Sequence, residues 1–259
     1  MVIPVHDENP VRRTPMVTYL IIVVNLALFL AEPIPKLSLS GTPGTVPAAC
    51  QQAEFFDHYG ALPTELVHDR QLARRPPTVE TNVGPFRCPP ERFHKVPVLS
   101  VLTAMFLHGG WLHILGNLLF FYVFGNNVED RLGRLRFLLF YLASGYVAAY
   151  GYALAFPHSV NPLIGASGAI AGVLGAYLVL YPRARVTTLV PFLLFLPFRL
   201  PAWLVLGFWF LLQWAYSSGG GVAQGAGVAY VAHVVGFIFG AVTIRVLLPR
   251  RRPAAPRWG

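Results

Sequence analysis

Charge is scarce in this 259-residue chain: 12% of its residues are Asp, Glu, Lys or Arg, against about one quarter in a typical soluble domain. Hydrophobic residues make up 55%, so much of the chain does not face water. Acidic residues are scarcest, 11 against 20 basic ones, for a net charge of +9. The basic residues sit in separated clusters between apolar runs, not in the single patch that nucleic acid requires, and nucleic acid is not an expected partner. Cysteine is limited to Cys50 and Cys88, neither in a CxxC pair, which argues against a structural zinc site. A disulfide between them outside the cytoplasm stays open. No A-x-A-type cleavage site clearly follows the first apolar run, and Asp7, Glu8, Arg12 and Arg13 precede it. It reads as a retained first span.

What the chain has is apolar runs. They cover about residues 16–31, 112–128, 137–156, 164–181, 202–216 and 228–248, each near the roughly 17–25 residues that cross a bilayer. Only helices or a closed barrel satisfy backbone groups in lipid, and these runs lack barrel alternation. The expected fold class is an all-α polytopic membrane protein with six transmembrane helices. Residues 1–15 form an N-terminal segment, residues 16–248 the membrane domain with a long loop at 32–99, and residues 249–259 a basic tail.

Arginine sets the orientation. Arg12 and Arg13 precede the first run, Arg131, Arg134 and Arg136 follow the second, Arg183 and Arg185 the fourth, and Arg250, Arg251 and Arg252 the sixth. With six spans these groups share one side, which the positive-inside rule makes the cytoplasm. Both termini are then cytoplasmic and the long loop lies outside. The end of that loop, residues 98–110, is apolar and suits the membrane surface. Residues 186–201, with Pro191, Pro197, Arg199 and Pro201, read as an interfacial hairpin on the cytoplasmic side.

Polar side chains in spans are costly and are candidate functional groups. Ser167 lies near the outer start of the fourth run, His233 near that of the sixth, and His113 and Asn117 near that of the second. At 1.5 Å per residue all four share one depth. Gly168, Gly172, Gly236 and Gly240 are small residues at fourfold spacing, which lets helices approach closely. Gly236 and Gly240 share the His233 face, so packing the fourth run on the sixth brings His233 toward Ser167. A serine hydroxyl needs an adjacent base, and a neutral imidazole serves. His113 and Asn117, one turn apart, and the Ser167 N–H are candidate oxyanion donors. No Asp or Glu lies at this depth, so the pair reads as a dyad. His108 and His113 are not an HExxH site, and neither metal nor cofactor is expected. Span five and the glycine-rich stretch 219–227 are expected to move to admit a substrate helix.

The stretches His108-Gly109-Gly110-Trp111-Leu112-His113-Ile114-Leu115-Gly116-Asn117, Glu129-Asp130-Arg131-Leu132-Gly133, Gly165-Ala166-Ser167-Gly168 and Ala232-His233-Val234-Val235-Gly236 resemble the rhomboid intramembrane proteases in content and order. The resemblance implies a Ser167–His233 dyad, an oxyanion hole from His113, Asn117 and the Ser167 N–H, and Gly165 as the glycine of the Gly-x-Ser motif. It implies a structural His108, and a Glu129–Arg131 pair bracing the second and third spans. The implied substrates are single-span membrane proteins cut near the outer face, in a bacterial plasma membrane. Ala171 departs from members that place a tyrosine against the catalytic histidine. A non-catalytic rhomboid-like client binder and a small transporter are the rival readings. The first typically lacks the serine or histidine, and the second calls for inverted repeats that the sequence does not show. Nothing in the pattern specifies an oligomeric state.

Overall fold

The computed structural model describes residues 3–33, 45–72, 76–81, 84–89, 93–191, 194–218 and 229–248. The glycine-rich stretch 219–227 and the basic tail 249–259 lie outside the described residues, as do parts of the long loop.

Each apolar run falls on one helix: α1 (Met16–Ala31), α5 (Trp111–Leu132), α6 (Arg134–Ala155), α7 (Ser167–Leu180), α8 (Ala202–Ser218) and α9 (Tyr230–Leu247). Among the described residues α6 and α9 are long and apolar enough to cross a membrane, while α1 and α7 are shorter apolar helices. α5 reaches 22 residues but carries Glu129, Asp130 and Arg131 in its last turn. The sides of the bundle are apolar. Leu20, Leu112, Leu139, Leu154, Leu211 and Val242 all point outward and are more than half exposed, a surface that water disfavours and lipid accepts.

α7 is the central helix. Its residues from Ala169 to Tyr177 are buried without a break, which explains why this run shows no polar face. Glycine sets its contact with α9. A Cβ on Gly236 would strike the Gly168 carbonyl, one on Gly240 the Gly172 carbonyl, and one on Gly175 the Phe237 carbonyl. Backbone therefore meets backbone along this seam. Gly172 also faces α6, where a Cβ would lie 2.5 Å from Ser144 Oγ. Around the seam pack Phe121, Phe124, Phe137, Phe140 and Tyr141.

α7 starts later than the run that contains it. Residues 157–166 are irregular, and Gly165, at φ +114°, holds a backbone conformation that ends any helix leading into Ser167. Ser167 is therefore the first helical residue, not a residue within the helix.

The all-α expectation needs amending outside the bundle. Residues 186–201 do turn back on themselves, but as strands β4 (Arg185–Val190) and β5 (Leu196–Pro201). β1 (Ile3–Asp7), from the N-terminal segment, completes a three-stranded antiparallel sheet in the order β1-β4-β5. Val186, Thr188 and Val190 alternate inward, and Pro197 and Pro201 fall on the edge strand β5, where no ladder N–H is missed.

The long loop folds into a cap. It contains α2 (Val46–Tyr59), α3 (Pro63–His68), the hairpin β2 (Thr78–Thr81) and β3 (Gly84–Arg87), and α4 (Pro97–Ala104). A Cys50–Cys88 disulfide ties α2 to the residue after β3. A buried Lys95–Glu65 ion pair, 2.9 Å, ties α3 to the chain entering α4. The cap fastens to the segment before Ser167: Ala61 and Leu163 exchange backbone hydrogen bonds of 3.0 and 2.8 Å, and the Thr64 N–H donates to the Ser159 carbonyl at 3.1 Å.

Candidate active site

Three helices converge near the cap. Ser167 opens α7, so its N–H belongs to a first turn with no intrahelical acceptor and sits at the positive end of the helix dipole. His233 lies in the first turn of α9, and the glycine seam carries it across to Ser167. The His233 Nε2–Ser167 Oγ distance is 2.7 Å. His113 and Asn117 come from the opening turns of α5, as expected.

The His113 orientation follows from its hydrogen bond. The Gly109 N–H donates to His113 Nδ1 at 3.3 Å, which leaves the neutral ring's proton on Nε2. Nε2 faces Gly165, where a Cβ would lie 2.8 Å from His113 Nε2 and 3.7 Å from Ser167 Oγ. The donor and the hydroxyl thus border one small space, kept open because residue 165 has no side chain. Asn117 Nδ2 is buried with no hydrogen-bond partner among the described residues. A buried amide without a partner is costly, and it is available to an incoming oxygen.

Gly165 supplies no donor here, because its own N–H goes to the Ala104 carbonyl at 2.8 Å. It supplies space and a backbone turn. His108 packs edge-on against His113, ring centroids 5.1 Å apart, and its backbone N–H donates to the Glu32 carboxylate at 3.2 Å. Burial pushes the His108 imidazole down to about 3, and nearby His113 adds to this, so His108 is neutral and places no charge beside the site. Among the described residues no carboxylate touches His233.

The arginine-flanked end holds the other resemblance-derived pair. Glu129 does not join the second span to the third. Its carboxylate accepts from the Val17 N–H at 3.0 Å and from the Thr18 N–H and hydroxyl, both at 2.8 Å. It therefore caps the first turn of α1, whose N–H groups otherwise lack partners. Arg131 makes no bond to it. Arg131 lines a cavity of about 680 Å³ with Arg12, Arg13 and Asp130.

Two residues at the site come from α8 and were not among the expected ones. Gln213 Oε1 lies 2.7 Å from His233 Nδ1. The Trp209 ring lies 6.0 Å from the His233 ring, and Tyr230 of α9 adds an edge contact at 6.3 Å. Rings thus reach His233 from α8 and α9, while Ala171 is fully buried in α7. The signal for Gln213 was present in the sequence. It is the one amide or charged side chain in the apolar run 202–216.

Comparison with known proteins fits this geometry. The Rhomboid domain family matches residues 96–250. The chain belongs to the rhomboid family. It is 30% identical over 174 residues to Rhomboid protein 1, mitochondrial, of Saccharomyces cerevisiae, covering 62% of this chain and 47% of that protein. It is 45% identical over 78 residues to Rhomboid protease GluP of Bacillus subtilis, covering 30% of this chain and 15% of that protein. It is 38% identical over 78 residues to RHOMBOID-like protein 6, mitochondrial, of Arabidopsis thaliana, covering 30% and 25%. The chain spans less than half the length of each. Rhomboid proteins are integral membrane proteins, and the family is one of intramembrane proteases that also has inactive members. These relatives include mitochondrial and bacterial proteins, so they set the class of protein and not the membrane it occupies.

Proposed function

We propose that this rhomboid protein is an active intramembrane serine endopeptidase that cuts transmembrane segments of single-span proteins near the outer face. The observation that carries this reading is the 2.7 Å contact between Ser167 Oγ and His233 Nε2, beside the unpartnered amide of Asn117. The topology that goes with it has α1, α5, α6, α7, α8 and α9 as six spans. The arginine-flanked end and both termini then face the cytoplasm, and the cap lies outside.

Ser167 Oγ attacks the scissile carbonyl carbon while its proton passes to His233 Nε2. The carbonyl oxygen becomes an oxyanion and accepts hydrogen bonds from Asn117 Nδ2, His113 Nε2–H and the Ser167 N–H. His233 then returns the proton to the leaving amine, the C–N bond breaks, and an acyl-enzyme remains. Water, deprotonated by His233, releases the second fragment and restores the Ser167 hydroxyl. The donors lie in a buried site, where they act more strongly than in water.

The test uses purified wild type, Ser167→Ala and His233→Ala in detergent with a reporter bearing one transmembrane helix. Wild type is expected to yield two fragments, and each variant to lose on the order of 10⁴-fold or more in kcat. Equal cleavage by Ser167→Ala would overturn the assignment of the nucleophile. Cleavage by none of them, in lipid and across several substrates, would replace the protease reading with client binding.

A further inference from the structure

α8 is the least buried helix around the site. Its outward face carries Trp203, Phe208, Leu211 and Trp214, all well exposed. Its buried residues are Ala202, Val205, Leu206 and Gln213. Three of these lie at the arginine-flanked end, so the other half of α8 buries a single side chain, and that side chain reaches the candidate base.

The chemistry of the contact is directional. Neutral imidazole carries one proton, and the nitrogen without it is the base. For His233 to accept the Ser167 proton at Nε2, its own proton must sit on Nδ1. The Gln213 Oε1 atom can only accept, and it lies 2.7 Å from Nδ1. That bond holds the proton on Nδ1 and fixes the ring plane. Among the described residues no carboxylate performs this task, and an amide performs it without a buried charge, which a bilayer disfavours.

We propose that Gln213 is a positioning residue for the reaction, holding His233 in its base-competent tautomer and making that competence depend on how α8 is seated. The inference rests on the protease reading above. When the half of α8 that carries Gln213 moves outward, the hydrogen bond to Nδ1 is lost and the ring is free to turn. When α8 returns, Nε2 again faces Ser167. The helix that borders the site thereby reports its own position to the base.

The test compares Gln213→Leu, which fills similar space and cannot accept, with Gln213→Glu, which accepts. Rates of reporter cleavage and of Ser167 labelling by a fluorophosphonate are followed against pH. Gln213→Leu is expected to lower kcat by about 10–100-fold with little change in KM, and to slow labelling in parallel. Gln213→Glu is expected to keep most of the kcat. Its acidic limb should move to higher pH, since a carboxylate favours imidazolium; the other titratable groups facing His233 are His113 from α5 and Tyr230 from its own helix. A residue that only tethers α8 would alter Tm or KM and leave the kcat and labelling rate of Gln213→Leu alone, and that result overturns the proposal. If Gln213→Leu fails to fold, Gln213→Ala, which also cannot accept, takes its place in the kcat and labelling comparison. Wild type that neither cleaves nor labels overturns the protease reading itself, a distinct outcome.

Discussion

Replacing Gly165 by alanine tests the site without touching any group that performs chemistry. Two costs can be worked from the structure. The first is backbone strain. Residue 165 sits at φ +114°, a conformation that costs a non-glycine residue about 1–3 kcal/mol. The second is contact. The new Cβ would lie 2.8 Å from His113 Nε2 and 2.9 Å from its Cε1. Carbon contacts settle near 3.5 Å, so the ring has to retreat by roughly 0.6–0.7 Å. His113 cannot retreat freely, because its Nδ1 is held by the Gly109 N–H and its face by the buried His108 ring. The donor therefore leaves its place beside Ser167. Losing one oxyanion donor costs about 10²–10³ in kcat. The expected result is a loss of kcat in that range at nearly unchanged KM, with Tm lowered by the strain. Gly207→Ala is the control. Its Cβ would meet nothing within 4 Å, and within α8 alanine is worth up to about 1 kcal/mol over glycine. Reporter cleavage and thermal unfolding in the same detergent measure both. A Gly165→Ala protein with wild-type kcat, or a Gly207→Ala protein equally impaired, would refute the reasoning.

Other perturbations follow from single contacts. Glu129→Ala removes the acceptor for three bonds to the start of α1 and is expected to cost about 2–4 kcal/mol, read as a lower Tm in detergent, with Glu129→Gln recovering part of it. Reducing the Cys50–Cys88 bridge frees a loop of 38 residues, worth about 4 kcal/mol in the chain-entropy account. The cap should then be digested by protease at concentrations that spare the oxidised protein. Burial raises the Asp7 pKa above 3.8, against the hydrogen bonds from Tyr177 and Asn9. The folded state thus favours the protonated acid, the ionisation penalty is absent below about pH 4, and it grows as pH rises through the folded-state value. Asp7→Asn should flatten that decline in Tm, and an unchanged pH slope would count against it.

The helices were legible because each lies in one long apolar run that periodicity and flanking charge mark off. Each apolar run returned as a helix, and the glycines that suggested a seam between α7 and α9 do meet backbone to backbone. The short strands were not legible. β1 has five residues and pairs with β4 across more than 170 positions of sequence, and no local pattern carries that pairing. The partner of Glu129 was misread for a related reason. A carboxylate near a helix end is visible in sequence, but which neighbouring helix starts within reach of it is a tertiary fact. Cysteine count allowed a single pairing, yet its formation needed a folded cap that brings the two Cα atoms to 5.5 Å.

Gln213 was missed for a different reason, and it bears on how such sites are read. A search for a third catalytic partner looks for Asp or Glu, because in water-soluble sites a carboxylate both orients the histidine and stabilises its charged form. In lipid the two tasks separate. A buried carboxylate costs several kcal/mol more than a buried amide, while orientation requires only an acceptor. The polar residue to look for in a membrane site is thus the lone amide in an apolar run. On the proposal above, its place on α8, the helix with least buried surface near the site, couples orientation to the seating of that helix. An acceptor on α7 or α9 would ride on the rigid glycine seam and could not sense whether α8 is seated.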